Sequence, residues 1–197
     1  MDRDELEEIL AEHKVWVNTG GIMGKRADLR DSDLSGLSLS KAELGEAKLA
    51  RANLANMNLS CANLKYANLS RANLQGASLV YANINLAELS GAKLRGADFG
   101  INRIPVIEDI HKKIWGAVRD GGLAMENWHS CESTHCRAGW AIHLAGECGY
   151  LLESIFGPSV AGALIYQASD PGLERVPDWH ASDEDALADI KRMAGVS

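Results

Sequence analysis

The sequence predicts an α+β protein, a β-solenoid over residues 27–101 followed by an α-helical region over 102–197. Three observations carry that expectation. A leucine stands at every fifth position from Leu29 to Leu94, replaced only at Ile84, and Phe99 closes the series at fifteen members in register. Two positions before each stands a small residue, from Ala27 to Ala97, broken only by Leu37 and Met57. After Ile101 the period of five stops and helical spacing begins. Five matches neither the strand period of two nor the helical 3.6, so the segment is a structural repeat. A large apolar residue that accepts only a small one two places before it implies that both point into a narrow tube and share its volume.

Composition sets the broad class. A chain of 197 residues with 46% apolar and 24% charged side chains can bury a real core, as globular proteins do. No apolar run approaches the ~20 residues of a bilayer span, and the N-terminus is acidic where a signal peptide would be basic and then apolar. A cytoplasmic protein with no membrane association is expected. Residues 27–101 carry seven acids and eight bases, whereas residues 102–197 carry fourteen acids and eight bases. The repeat is nearly neutral and the acidity sits behind it, which argues against direct nucleic-acid binding. Cys61, Cys131, Cys136 and Cys148 are too scattered for a disulfide framework and read as free thiols.

Taken in order, residues 1–26 read as a capping helix and linker. Leu6, Ile9, Leu10, His13 and Val17 share one helical face over 2–17, Asp2, Asp4 and Glu5 suit the first turn, and Gly20 and Gly21 end it. A solenoid needs such a cover, because an open terminal coil exposes core and strand edges. The repeat proper shows Ala52-Asn53-Leu54, Ala62-Asn63-Leu64, Ala67-Asn68-Leu69 and Ala72-Asn73-Leu74. This pattern resembles the pentapeptide repeat family. The resemblance implies a right-handed, four-sided parallel β-helix with one pentapeptide per side and twenty residues per coil, so that fifteen sides would make about 3.75 coils.

If every fourth pentapeptide stacks, outward positions fall into columns. The residue before each central leucine gives polar columns such as Asp33, Asn53, Asn73 and Lys93, which read as structural ladders. Two residues after each central position, two columns are polar or glycine-rich. The other two read Lys41, Cys61, Tyr81, Ile101 and Glu46, Tyr66, Leu86. A solvated rod does not require the apolar patch of Tyr66, Tyr81, Leu86 and Ile101. The C-terminal region folding back, a second copy in a homodimer, or a foreign protein could each cover it.

In the C-terminal region Pro105 is expected to open a helix reaching Arg119, stopped by Gly121 and Gly122. A second should start from Ser133 or Thr134 and end at Gly146. Others are expected near 150–156 and 159–168, and a last one from the N-cap Ser182 to Gly195.

The densest chemical cluster lies at the second of these helices. His129, Cys131, His135 and Cys136 are four zinc-ligand types, but a single eight-residue loop would have to wrap the metal and adjacent His135 and Cys136 would diverge. Cys136 at the second helical position would instead be the best catalytic candidate, since a helix N-terminus favours a thiolate. Against both, Cys136, Trp140 and His143 at i, i+4 and i+7 form an ordinary core stripe. Phosphate loops, nucleophile elbows and HExxH motifs are absent. The expected function is thus non-enzymatic and cofactor-free, a scaffold presenting a surface to a protein partner. The resemblance also implies a second possibility, a DNA-mimicking inhibitor of a gyrase-like enzyme. This chain departs from that type in its few coils, its neutral repeat and its large C-terminal region. A cysteine-dependent enzyme or effector using Cys136 is the third.

Overall fold

The computed structural model describes residues 2–101, 104–119, 123 and 136–196, and the chain divides into two compact units, 1–102 and 103–197. In the first unit, α1 (Arg3–Asn18) starts at the N-cap Asp2, whose carboxylate accepts the Glu5 amide at 2.8 Å. Beyond it the chain is built from parallel bridges between residues twenty apart, from Asp28 with Lys48 to Ser78 with Asp98. Each bridge is closed from both sides. Leu29 N–H donates to the Lys48 carbonyl at 2.8 Å, and Lys48 N–H to that of Ala27 at 3.0 Å. One coil therefore holds twenty residues, and its backbone groups are satisfied by the coils above and below.

The tube's interior is the leucine series. Leu44, Leu64, Leu69 and Leu74 are fully buried, and Ala47, Ala52, Ala62, Ala67, Ala72 and Ala77 beside them leave no surface either. The two breaks in the small series behave differently. Met57 fits inside at 1% exposure, whereas Leu37, in the first coil, stays 42% exposed.

The second unit is helical: α2 (Ile110–Val118), α3 (Arg137–Leu144), α4 (Gly146–Phe156), α5 (Pro158–Ser169) and α6 (Asp183–Met193). Helix α5 packs on α3 and α4, and α2 on α3 and α6. Gly162 permits the α3–α5 approach, since a Cβ there would lie 2.7 Å from the Ala138 Cβ. Two expected helix starts are corrected. Residues 105–109 stay outside α2, because Asp109 adopts a left-handed φ of 53° and the helix begins only after it. Helix α3 begins after Cys136, which is its N-cap and not its second residue, because the cysteine side chain itself caps it, Gly139 N–H donating to Sγ at 3.3 Å. Gly146, expected to end α3, has a φ of 61° and opens α4. Ser182 caps α6 as the sequence implies, accepting the Asp185 amide at 3.1 Å.

A buried charge lies at the centre of this unit. Arg137 is 2% exposed and pairs with Asp189, its Nε donates to the Tyr166 hydroxyl at 3.3 Å, and its Nη2 lies 2.6 Å from the Met193 sulfur. Burial opposes ionisation of Asp189, but Arg137 and Arg192 outweigh it and hold the carboxylate below its usual range.

Candidate interaction surface

The position two residues after each central leucine forms the corner between two sides of the tube. At the first corner Ser32 N–H donates to the Leu29 carbonyl and Asp31 carries a φ of 60°, the arrangement of a type II turn. Glycine suits such a corner, and Gly36, Gly76, Gly91 and Gly96 occupy four of them. Asn56 fills another, and Asp31, Arg51 and Arg71 also adopt positive φ. Asp31 and Arg51 stack one coil apart in a two-pronged ion pair at 2.6 Å, which holds the Asp31 carboxyl below its ordinary range. The neutral charge of the repeat is thus locally paired.

The remaining two corner columns set large apolar side chains in the same left-handed conformation. Tyr81 has a φ of 60° and is 85% exposed; Tyr66 and Leu86 have φ of 59° and 57° and are about half exposed. Cys61, below Tyr81, is exposed as well, and Ile101 at the end of that column is half-buried. Lys65 Nζ lies 5.0 Å from the Tyr66 ring centre and keeps one face of that ring cationic. Beside Tyr66 opens a groove of about 400 Å³, lined by Trp16 and Val17 of α1 and by Glu46, Asn63 and Lys65 of the repeat. Sequence spacing had brought Tyr66, Tyr81 and Leu86 together but missed both the groove and the strained backbone. The glycines recurring at the corner position were the available signal.

Cys136 is the other candidate. It is 1% exposed, and burial pushes its thiol up from the ordinary value despite the amides of Gly139 and Ala138. Of His111, His129 and His180, which might serve it as a base, His111 pairs with Asp170 at 3.0 Å and His129 lies outside the described residues. A buried, protonated thiol is a poor nucleophile. With iodoacetamide at neutral pH, Cys136 is expected to label at least about tenfold more slowly than the exposed Cys61 and Cys148; faster labelling of Cys136 would revive the nucleophile. The other three proposed zinc ligands, His129, Cys131 and His135, lie outside the described residues, as do Gly121, Gly122, Ser133 and Thr134.

A parallel β-helix whose sides are five residues long is a solenoid of stacked pentapeptides. The sequence model of the pentapeptide repeats matches here in eight copies, over residues 27–65, 38–76 and 67–100. Residues 27–100 are accordingly a pentapeptide-repeat segment, and the solenoid is a right-handed β-helix.

Solved structures similar to this segment include a pentapeptide repeat protein from the cyanobacterium Cyanothece 51142, 46% identical over 38% of this chain and 52% of that one, with a TM-score of 0.37. HetL of Nostoc PCC 7120, a pentapeptide repeat protein involved in heterocyst differentiation regulation, is 40% identical over 38% of this chain and 40% of its own, with a TM-score of 0.24. A thylakoid-lumen pentapeptide repeat protein of Arabidopsis thaliana is 34% identical over 36% of this chain and 52% of that one, with a TM-score of 0.23. The chain thus spans about half the length, or less, of these relatives. Among curated proteins nothing matches it. No helix among the described residues is long and apolar enough to cross a membrane.

Proposed function

We propose that this chain is a non-enzymatic scaffold whose β-helix binds a protein partner through the corner columns bearing Tyr66, Tyr81 and Leu86. One observation carries the reading: the tyrosines and the leucine stand in a left-handed backbone that costs about 1–2 kcal/mol per residue, yet their side chains are turned outward. Glycine or asparagine at the same corners would avoid much of that cost, as Gly76 and Asn56 do in their own column. Arg51, Cys61 and Arg71 share the strained corner, so what sets Tyr66, Tyr81 and Leu86 apart is a large apolar side chain left exposed there, which a contact outside the chain explains. Exposed aromatic and aliphatic side chains spread over two corner columns suit a protein surface rather than a small molecule.

In this reading the fifteen pentapeptides form about 3.75 coils, α1 closes the N-terminal end, and the helical unit over 102–197 supplies a second surface. Charge pairing between Asp31 and Arg51, and of Asp28 with Arg30 and Lys48, weighs against DNA mimicry by the repeat. The buried thiol of Cys136 weighs against a cysteine enzyme.

The triple variant Tyr66→Asn, Tyr81→Asn, Leu86→Asn tests the assignment, because asparagine tolerates the left-handed corner. Its thermal midpoint should equal or exceed that of the natural chain. A midpoint lower by about 4 °C or more would show that these side chains hold the fold, and would overturn the reading. Light scattering on the same pair separates a foreign partner from self-association, which predicts a dimer that the variant loses.

A further inference from the structure

We propose that His13 is a pH-sensitive latch, holding α1 on the first repeat while its ring is neutral and releasing the helix when the ring is protonated. His13 lies in α1 and is fully buried. Its Nδ1 is 3.1 Å from the backbone nitrogen of Ala27, the first residue of the repeat. An amide N–H can only donate, so Nδ1 must be the unprotonated nitrogen and Nε2 must carry the hydrogen. Nε2 is itself buried and finds no hydrogen-bond partner among the described residues. The ring thus holds the helix through one bond that exists only in one tautomer of the neutral form.

Adding a proton to Nδ1 sets two donors against each other and leaves a charge without water. The groups around the ring divide. Burial acts most strongly and favours the neutral ring; Glu43, the Gly45 carbonyl and Glu46 favour the charged one, while Arg26 opposes it. From α1 itself Trp16 stacks on the ring at 5.7 Å and would attract a cation, but Arg26 already lies 5.8 Å from the Trp16 ring. Burial prevails, and the ring's pKa falls below the ordinary 6.5.

The sign follows from linkage. The released helix has an ordinary histidine and binds the proton more readily than the docked one, so docking is complete above pH 6.5 and weakens as pH falls below it. The ratio of released to docked helix rises by up to about tenfold per pH unit until the docked ring itself protonates. The carboxylates with resolved shifts, Asp28, Asp31, Asp33 and Asp189, are displaced downward from 3.8 and act at lower pH. The window is therefore His13's among the shifted groups. Release would uncover Leu6, now 4% exposed, and the backbone edge of the first coil.

The test compares amide hydrogen exchange in α1, corrected for intrinsic rate, between pH 7.5 and 5.0 in the natural chain and in His13→Asn. The asparagine carbonyl can accept from Ala27 without titrating. An acceleration of about tenfold that is present in the natural chain and lost in the variant supports the latch; equal acceleration in both, or none in either, overturns it. Should the variant not fold, ¹⁵N spectra of the histidine rings in the natural chain decide. The latch requires the Nε2–H tautomer at pH 7.5 and a His13 midpoint below 6.5, and an Nδ1–H tautomer or a midpoint at or above 6.5 refutes it.

Discussion

Leu64→Ala is expected to destabilise the β-helix by about 2–5 kcal/mol, whereas Leu37→Ala should change it by no more than about 0.5 kcal/mol. Both are leucines of the repeat, and the chain's own periodicity makes one central and the other an intruder at a small position. Leu64 is completely buried, stacked between coils whose bridges, Glu43 with Asn63 and Asn63 with Asn83, run on either side of it. Truncation leaves a cavity that neighbouring coils cannot fill without breaking the twenty-residue register. Leu37 lies 42% exposed in the first coil and leaves no cavity. Urea denaturation of the two variants measures the contrast, and equal effects would mean that the tube is not the stabilising core.

Arg137→Ala should cost the helical unit about 3–5 kcal/mol, the scale for breaking a buried ion pair by removing one member. The guanidinium is 2% exposed and joins α3 to Asp189 and Met193 of α6 and to Tyr166 of α5. Its loss leaves Asp189 with only Arg192 among the described residues and takes the Arg137 donor from the fully buried Tyr166 hydroxyl. A double change, Arg137→Met with Asp189→Leu, should recover much of the stability, because no buried charge is then left unpaired and Arg192, which loses Asp189, is exposed. The pH dependence is fixed in sign. Asp189 has a lowered folded pKa, so its contribution is complete above its unfolded value near 3.8 and disappears as pH falls through the folded one. Removing the guanidinium should flatten that acid limb in urea titrations.

The repeat was legible because a large apolar residue recurs fifteen times at one spacing, thirteen times with a small neighbour two places before it, and this leaves a single geometry. Helix α6 was legible for a local reason, with Ser182 as cap, three acids in the first turn, and Lys191 and Arg192 in the last. What escaped the sequence depended on backbone conformation or on distant partners. The positive φ of Tyr66, Tyr81 and Leu86 cannot be inferred from residues that rarely adopt it. Only the glycines at equivalent corners reveal it. Asp109 delays α2 in the same way, against the expectation raised by Pro105. Arg137 beside a helix start reads as a surface charge until Asp189, 52 residues on, is placed against it. His13 looked like one member of an amphipathic face, and its bond to Ala27 spans fourteen residues of chain.

The corner surface is tested most directly by placing a photo-crosslinking amino acid at Tyr81, with Asn56 of the glycine-bearing column as control, and irradiating the chain in its native host. The protein captured is then purified, and its affinity is measured for the natural chain and for the Tyr66→Asn, Tyr81→Asn, Leu86→Asn variant. The account predicts one dominant adduct from position 81, none from 56, and an affinity at least about thirtyfold weaker for the variant, as for loss of a hot spot worth 2 kcal/mol or more. Equal affinity of natural chain and variant, with the variant folded, would contradict it.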